Sequence, residues 1–139
     1  MSTEENKENI RRHVEDVFNK GDLSIVDELI APNYVARSPM GEIKGPEGFR
    51  QTVVTMRNAF PDLHYTIDDM VAEGDWVAVR YTLTGTFTGE FGSRAPTGKK
   101  LTRAEANFHR FEGGKQVEMV GYLDRLTAYQ QLGIPLPTE

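Results

Sequence analysis

Three polar side chains that could take part in proton transfer alternate along one segment of extended pattern. Glu105, Asn107 and His109 are two residues apart, so in a strand they share one face. Asn107 could donate a hydrogen bond to a developing enolate oxygen, His109 could shuttle a proton, and Glu105 could contribute to substrate binding. The opposite face is mostly apolar. The row therefore either lines a pocket or faces solvent or a second subunit, and both interpretations stay open.

A single carboxylate, Asp124, ends the last segment of extended pattern, where it would share a face with Tyr122 and Val120. In an apolar cavity, burial would disfavour its charged form and raise its pKa toward that of a general base, and Tyr122 would line the same pocket. Asp124 also directly precedes a helical turn that begins at Arg125, where aspartate is a common N-cap. Caps are commoner than catalytic acids, so the residues alone favour capping.

Two arginines could hold a carboxylate or an enolate of a ligand. Arg80 lies in the middle of a segment of extended pattern, on the same face as Trp76. A buried arginine needs an acidic partner, so we favour for Arg80 a structural pair with Glu105 or Asp124. Arg37 ends a short extended segment, and for this residue the structural and the ligand-binding roles stay open.

Aromatic side chains supply bulk for a core or for a pocket wall. Tyr34, Phe60 and Trp76 are candidates for substrate contact, although a place in the core is the default for each. His13 falls at the margin of a helical apolar stripe and is expected to pack there. The three histidines lack the spacing of metal ligands, and the chain has no cysteine, so a metal site is not expected.

The elements that must position these residues divide into a helical first half and an extended second half. Apolar residues repeat with helical spacing in three segments, which Gly21, Pro32 and Pro61 end. A short extended piece, residues 34–37, separates the second segment from the third. After Pro61 the period changes to two, which predicts strands. The predicted strands are residues 63–72, 76–87, 100–111 and 115–124, and a short helix follows at residues 125–132.

This order predicts an α+β fold in which a cone-shaped, curved antiparallel sheet (an α+β barrel) is closed by about three N-terminal helices. Such a sheet buries one face only by curling around the helices, which leaves a cavity at its open end. The loop from Gly89 to Gly98 is expected to form a lip over the cavity mouth. The 139 residues have room for one domain, taken as residues 1–139.

Several short motifs occur together in one order and spacing, and with them the chain resembles the SnoaL-like polyketide cyclase (ester cyclase) family, which has the nuclear transport factor 2-like fold. The resemblance covers residues 6–133. The motifs are Phe18-Asn19-Lys20-Gly21-Asp22, Gly45-Pro46-Glu47-Gly48-Phe49, Ala59-Phe60-Pro61-Asp62-Leu63, Thr84-Gly85-Thr86, Pro96-Thr97-Gly98-Lys99, Phe111-Glu112-Gly113-Gly114-Lys115 and Asp124 followed by Gln131-Leu132-Gly133.

The resemblance implies an intramolecular aldol condensation without a metal or other cofactor. The family's acid/base group is an acidic side chain on the last strand, and the matching position is Asp124. The family usually has an Asp-His pair after the second helix, where this chain reads Ala36-Arg37. If that histidine binds or polarises the substrate carbonyl, Arg37 replaces it with a permanent cation. Family members usually pair through the outer face of the sheet, which implies a homodimer here, with Phe108 and Val117 as exposed apolar residues.

Composition excludes several partners. The net charge is −5, and basic residues occur as short pairs rather than as a stripe, so a nucleic-acid surface is not expected. The polar N-terminus does not resemble a secretory signal, and no apolar run has the ~20 residues of a membrane span, so a cytoplasmic location is the default.

Two functions from different classes fit these observations. The first is an acid/base enzyme, a cyclase or isomerase, that acts on a small apolar carbonyl compound. The second is a non-catalytic protein that binds a small apolar organic ligand in the same cavity.

Overall fold

The computed structural model describes residues 2–136, and a highly curved sheet wraps around helices within this range. These residues form four α-helices and six strands, with a π-helical turn that extends the first helix and a 3₁₀ turn that leads into the second. In chain order the elements are α1 Thr3–Arg12, the π-helical turn His13–Phe18, the 3₁₀ turn Leu23–Ile25, α2 Val26–Leu29, β1 Ile30–Ser38, β2 Gly41–Lys44, α3 Gly45–Ala59, β3 His64–Glu73, β4 Trp76–Thr86, β5 Lys100–Glu112, β6 Lys115–Leu123 and α4 Arg125–Leu132.

The six strands form one sheet in the order β2-β1-β6-β5-β4-β3. Neighbouring strands are antiparallel except β1 and β6, which run parallel. The sheet is therefore mixed, which corrects the expectation of a purely antiparallel sheet. The parallel pair arises because the chain passes through β2, α3 and three further strands before β6 returns beside β1, with no hairpin between the two. The predicted α+β class and curved sheet are confirmed.

Local chemistry accounts for the helix ends. Ser2 and Glu5 form a capping box that satisfies the first N–H groups of α1. Pro46 occupies the first turn of α3, where its missing N–H costs nothing. Gly133 adopts the left-handed conformation that ends α4. None of the helices between residues 2 and 136 is long and apolar enough to cross a membrane.

Two buried clusters lie on the concave face of the sheet. The larger joins the π-helical turn, α2, β1, α3 and α4, and the smaller packs α1 against β4. The convex face has exposed apolar side chains, and Phe108 and Tyr122 are 48% and 61% exposed. Val117, expected on that face, is instead buried. Arg110 pairs with Glu118 and Phe111 pairs with Gln116, so Val117 is the extra residue of a bulge in β6. The bulge interrupts the alternation of side chains, and Gln116 and Val117 are both buried.

Candidate functional site

A cavity of about 580 Å³ lies between the concave face of the sheet and the helices. Its walls come from the π-helical turn, β1, α3, β5, β6 and α4, and most lining side chains are apolar or aromatic. Phe60 is buried in the wall and stacks on Phe87 at 5.5 Å between ring centroids. Solvent-exposed lining residues mark the cavity mouth, among them Met40 and Gln51. A mainly apolar cavity of this size, open at one mouth, suits a small organic molecule.

The polar row of β5 faces inward, which decides between the two interpretations left open by the sequence. Glu105 and Asn107 line the cavity, and His109 lies fully buried behind its wall. Arg103 extends the same row by one inward position. Outward positions of the strand are exposed, as at Phe108. Because water normally solvates such polar groups, four of them in a row on the buried face mark a candidate site.

Glu105 is the best-placed carboxylate in the cavity. Its Oε1 accepts hydrogen bonds from Arg103 Nη2 at 2.8 Å and from the Tyr65 hydroxyl at 3.3 Å, and its Oε2 accepts one from Asn107 Nδ2 at 3.3 Å. The side chains of Glu105 and Arg103 are only 9% and 13% exposed. The Nε of Arg103 is buried without a hydrogen-bond partner among the described residues. A buried pair of this kind costs desolvation, so its retention requires excellent geometry or a function.

Tyr65 is fixed beside Glu105 by the end of the π-helical turn. The Asn19 side chain accepts a hydrogen bond from the Tyr65 N–H at 2.7 Å and donates one to the Tyr65 carbonyl at 3.0 Å. Arg57 stabilises the end of the turn by donating hydrogen bonds to the backbone carbonyls of Phe18 and Asn19. Burial, and then the charge of Glu105, raise the pKa of Tyr65, so its phenol keeps its proton and remains a donor.

A chain of buried hydrogen bonds behind the cavity fixes the tautomer of His109. Asn9 Nδ2 donates to two backbone carbonyls, so Asn9 Oδ1 must accept from Gln116 Nε2, at 2.9 Å. Gln116 Oε1 then accepts from His109 Nδ1 at 3.0 Å. His109 Nε2 is left as an acceptor for the Tyr81 hydroxyl at 3.1 Å. Burial lowers the pKa of His109 to about 4, although its hydrogen bond to Gln116 opposes the shift.

The same chain fixes the tautomer of His13, which lines the cavity. Gln116 Nε2 also lies 3.0 Å from His13 Nδ1, which must accept because the amide nitrogen only donates. His13 Nε2 therefore carries the proton, and it has no hydrogen-bond partner among the described residues. Burial, and then repulsion from His109, hold the pKa of His13 well below its ordinary value. His13 thus offers the cavity a neutral N–H donor.

Tyr34, on β1, is a second donor in the cavity lining. Its side chain is buried, and burial raises its pKa, so the phenol stays protonated. Its hydroxyl forms no hydrogen bond within residues 2–136. The ring packs edge-on against Phe49, which also contacts the His13 ring at 4.9 Å between centroids. Phe49 therefore holds both donors in place.

Asp124 lies outside the cavity, which corrects the expectation of a carboxylate with a raised pKa in an apolar pocket. It is exposed on the convex face and caps α4, accepting from Thr127 N–H at 3.0 Å and from the Thr127 hydroxyl at 2.6 Å. These two bonds lower its pKa. Asp124 lies just beyond the end of β6, where the inward positions belong to Gly121 and Leu123.

Four further candidates also lie away from the cavity lining. Arg80 is exposed and pairs with Asp69 on the neighbouring strand, rather than with Glu105 or Asp124. Arg37 is exposed, does not line the cavity, and pairs with Glu42 of β2 and with Glu118 of β6. Trp76 and Tyr122 are exposed on the convex face, because alternation directs them away from the concave face.

The sequence did not identify several residues of the site, namely Tyr65, Tyr81, Arg103, Gln116 and the donor role of His13. Arg103 could have been predicted from the sequence, because it continues the two-residue spacing of Glu105 and Asn107. The others did not, since their roles depend on contacts between residues up to 107 positions apart. No group of histidine, aspartate and glutamate side chains within residues 2–136 is arranged to hold a metal ion.

The chain is similar to a known family and to several solved structures. The family described as SnoaL-like polyketide cyclase matches residues 8–132. A provisionally assigned polyketide cyclase of Acidithiobacillus ferrooxidans is 30% identical, with 96% of this chain and 98% of that chain covered and a TM-score of 0.82. IdmH of Streptomyces antibioticus, with the same provisional assignment, is 33% identical, with 93% and 99% covered and a TM-score of 0.80. AclR of Streptomyces galilaeus, provisionally a hydroxylase, is 29% identical, with 99% and 91% covered and a TM-score of 0.82. Among proteins of curated function, none matches.

Proposed function

Because the chain belongs to the SnoaL-like polyketide cyclase family, we propose that it is a cofactor-independent acid/base enzyme that acts on a small apolar carbonyl compound. The reaction is an intramolecular aldol condensation or a related isomerisation. The observation that carries this proposal is the carboxylate of Glu105 on the wall of a mainly apolar cavity whose lining also includes neutral hydrogen-bond donors. Proton abstraction beside a carbonyl needs this combination of a base and donors to the oxygen.

Glu105, rather than Asp124, is the proposed general base. Arg103 and Tyr65 anchor its Oε1, which fixes the direction of the carboxylate. Its Oε2 has one long hydrogen bond, to Asn107, and so keeps accepting capacity for a substrate proton. The carboxylate of Asp124 is committed to Thr127 on the other side of the sheet. These contacts reverse the assignment that the resemblance alone implies.

His13 and Tyr34 are the proposed donors to the developing enolate oxygen. Each is buried in the lining and retains a proton with no protein acceptor among the described residues. A preorganised donor in a dry site stabilises negative charge more than water does, because it need not reorient during the reaction. A neutral imidazole can fill this role without first becoming a cation.

The proposed reaction needs only one substrate molecule, and every proton and bond is accounted for within it. Glu105 removes a proton from the carbon beside one carbonyl, and the resulting enolate carbon forms a bond to a second carbonyl carbon of the same molecule. The second carbonyl oxygen becomes an alkoxide and takes a proton back from the protonated Glu105. The product is an isomer of the substrate with a new ring, and no oxidant or reductant is needed. Phe60 and the other aromatic walls exclude water that would compete for the enolate.

Deuterium exchange into a simple ketone tests the first step directly. We expect the protein to accelerate exchange of the α-hydrogens of 2-tetralone in D₂O, followed by proton NMR. Glu105→Gln should reduce the catalysed rate by about 10²–10⁴-fold, the usual contribution of a positioned base. Asp124→Asn is the matched control and should retain the rate. Full activity in Glu105→Gln, or its loss in Asp124→Asn, would refute the assignment.

A second variant distinguishes loss of the base from loss of the folded structure. Glu105→Gln leaves the buried charge of Arg103 without a partner, which can cost about 3–5 kcal/mol. Glu105→Asp keeps the charge but withdraws the carboxylate by one methylene. It should fold, with an unchanged near-ultraviolet circular dichroism spectrum, and still lose at least tenfold in rate.

A non-catalytic binding protein is the second candidate, and one observation favours it. Asp124, the acid implied by the resemblance, is closed off from the cavity, and Arg103 neutralises the remaining carboxylate. This function predicts saturable binding of 2-tetralone with no acceleration of exchange by the unmodified protein. The exchange experiment therefore separates the two functions.

A further inference from the structure

We propose that the ligand of this cavity carries a carboxylate on its apolar body, and that Arg94 and Arg125 bind this carboxylate at the cavity mouth. The inference deepens the proposed function by naming a substrate class. It rests on that function only for the choice of cavity, because it concerns binding and not proton transfer.

The two arginines meet at one tyrosine. Arg125 begins α4, and Arg94 lies in the loop between β4 and β5, so they reach the mouth from different elements. The guanidinium carbon of Arg94 lies 5.2 Å from the centre of the Tyr129 ring, and that of Arg125 lies 5.6 Å from it. Stacking on an aromatic ring orients a guanidinium without using its N–H groups.

Neither arginine has an acidic partner within residues 2–136, in contrast to the other cations of the lining. Arg103 pairs with Glu105, and Lys44 pairs with Glu42. Those pairs cancel, so Arg94 and Arg125 leave two positive charges uncompensated in the lining. The protein as a whole has a net charge of −5, so its overall composition does not explain this local excess of positive charge.

Arg125 is held in place but retains donors. Its Nη1 donates to the Pro39 carbonyl at 3.3 Å, and its Nη2 donates to the Tyr129 hydroxyl at 3.2 Å. Its Nε is buried and has no hydrogen-bond partner among the described residues. Arginine has five N–H donors, so Nε–H and one hydrogen on each terminal nitrogen remain. An unpaired buried donor is costly, and a ligand acceptor would satisfy it.

The chemistry favours a carboxylate over other anions. The Nε and Nη edge of a guanidinium matches the two oxygens of a planar carboxylate. A planar carboxylate therefore suits the two arginines best, with the apolar body directed toward the aromatic walls.

Binding of matched naphthalene probes tests this inference by isothermal titration calorimetry. The probes are 2-naphthoic acid, its neutral methyl ester and 2-naphthyl phosphate, at pH 7 with 0.05 and 0.5 M NaCl. We expect the acid to bind at least tenfold more tightly than the ester at low salt, and this preference to shrink at high salt. Arg94→Gln and Arg125→Gln should each reduce the preference by at least threefold. Arg80→Gln, an exposed arginine on the convex face, is the matched control and should leave it unchanged.

Each result decides for or against the carboxylate. Equal affinity of the acid and the ester for the unmodified protein, tighter binding of the phosphate, or an unchanged preference in both cavity variants would overturn the inference. Arg125→Lys adds a second check, because it keeps the charge but not the planar donors, and should lose most of the preference. Loss of exchange activity in Glu105→Gln tests the proposed function separately, since it does not depend on the acid-to-ester ratio.

Discussion

Burial of His109 should make the protein sensitive to mild acid. The imidazole is fully buried, with both ring nitrogens committed to Gln116 and Tyr81, so the folded protein resists its protonation. In the unfolded chain the same group has an ordinary pKa of 6.5, against about 4 in the folded state. Below pH 6.5 the unfolded state binds more protons than the folded state, so stability falls as the pH falls.

The size of the effect follows from the two pKa values of His109. Linkage gives a loss of about 2 kcal/mol at pH 5 and about 3 kcal/mol at pH 4, relative to pH 7. The loss is complete once the pH is below the folded pKa. His13 is shifted in the same direction and adds to the loss. These values are a large share of the ~5–15 kcal/mol that stabilise an ordinary domain.

Urea unfolding at pH 7, 5 and 4 measures this loss. The quantity to compare is how the free energy of unfolding changes with pH, in the unmodified protein and in His109→Gln, which lacks the titrating group. The absolute stabilities of the two proteins are not compared. We expect His109→Gln to lose about 3 kcal/mol less than the unmodified protein between pH 7 and pH 4. His64→Gln, at an exposed histidine, is the control and should leave the dependence unchanged. Parallel curves for His109→Gln and the unmodified protein would refute the argument.

Three further predictions concern the cavity wall and the convex face. Gly121→Ala places a methyl 2.4 Å from Asn107 Oδ1, so it should cost about 1–3 kcal/mol in urea unfolding and weaken ligand binding; unchanged stability would contradict the close packing. Asp124→Ala removes the α4 cap and should lower the thermal midpoint without changing the affinity for 2-naphthoic acid, measured by calorimetry. A homodimer formed through the convex face should sediment as two chains at micromolar concentration, and Phe108→Glu should convert it to a monomer; a monomeric unmodified protein removes this prediction.

The sequence predicted the fold well because its signals are local. The change from helical to two-residue spacing after Pro61 gave β3–β6 to within about one residue at most ends. Strand β1 was harder. It begins at Ile30, before the Pro32 that was expected to end a helix, and runs to Ser38. Its parallel pairing with β6 joins residues about 85 positions apart, which no local pattern can encode.

The site was predicted only in part, because alternation defines a face but not which way the face points. Glu105, Asn107 and His109 were correctly grouped, and only the fold directs them inward. Tyr122 was placed toward the cavity, but it lies on the exposed face of β6, and Asp124 follows the end of this strand. Of the aromatic candidates, Tyr34 and Phe60 line the cavity, whereas Trp76 does not. The tautomer of His13 depends on a path through Asn9 and Gln116, which only a three-dimensional structure reveals.

The π-helical turn, His13–Phe18, has a consequence for how insertions and deletions would affect this chain. A π-helical turn holds one residue more than an α-helical turn, and here it lets the His13 and Phe18 rings stack at 5.3 Å although they are five positions apart. Because the wide turn absorbs the extra residue, removing one residue from it would restore an α-helix and leave α1 in nearly the same orientation. Removing one residue from α1 itself would instead rotate the residues before the deletion by about 100°. We therefore expect a one-residue deletion within the turn to preserve the hydrogen bond between Asn9 and Gln116, and a deletion between Asn9 and His13 to break it.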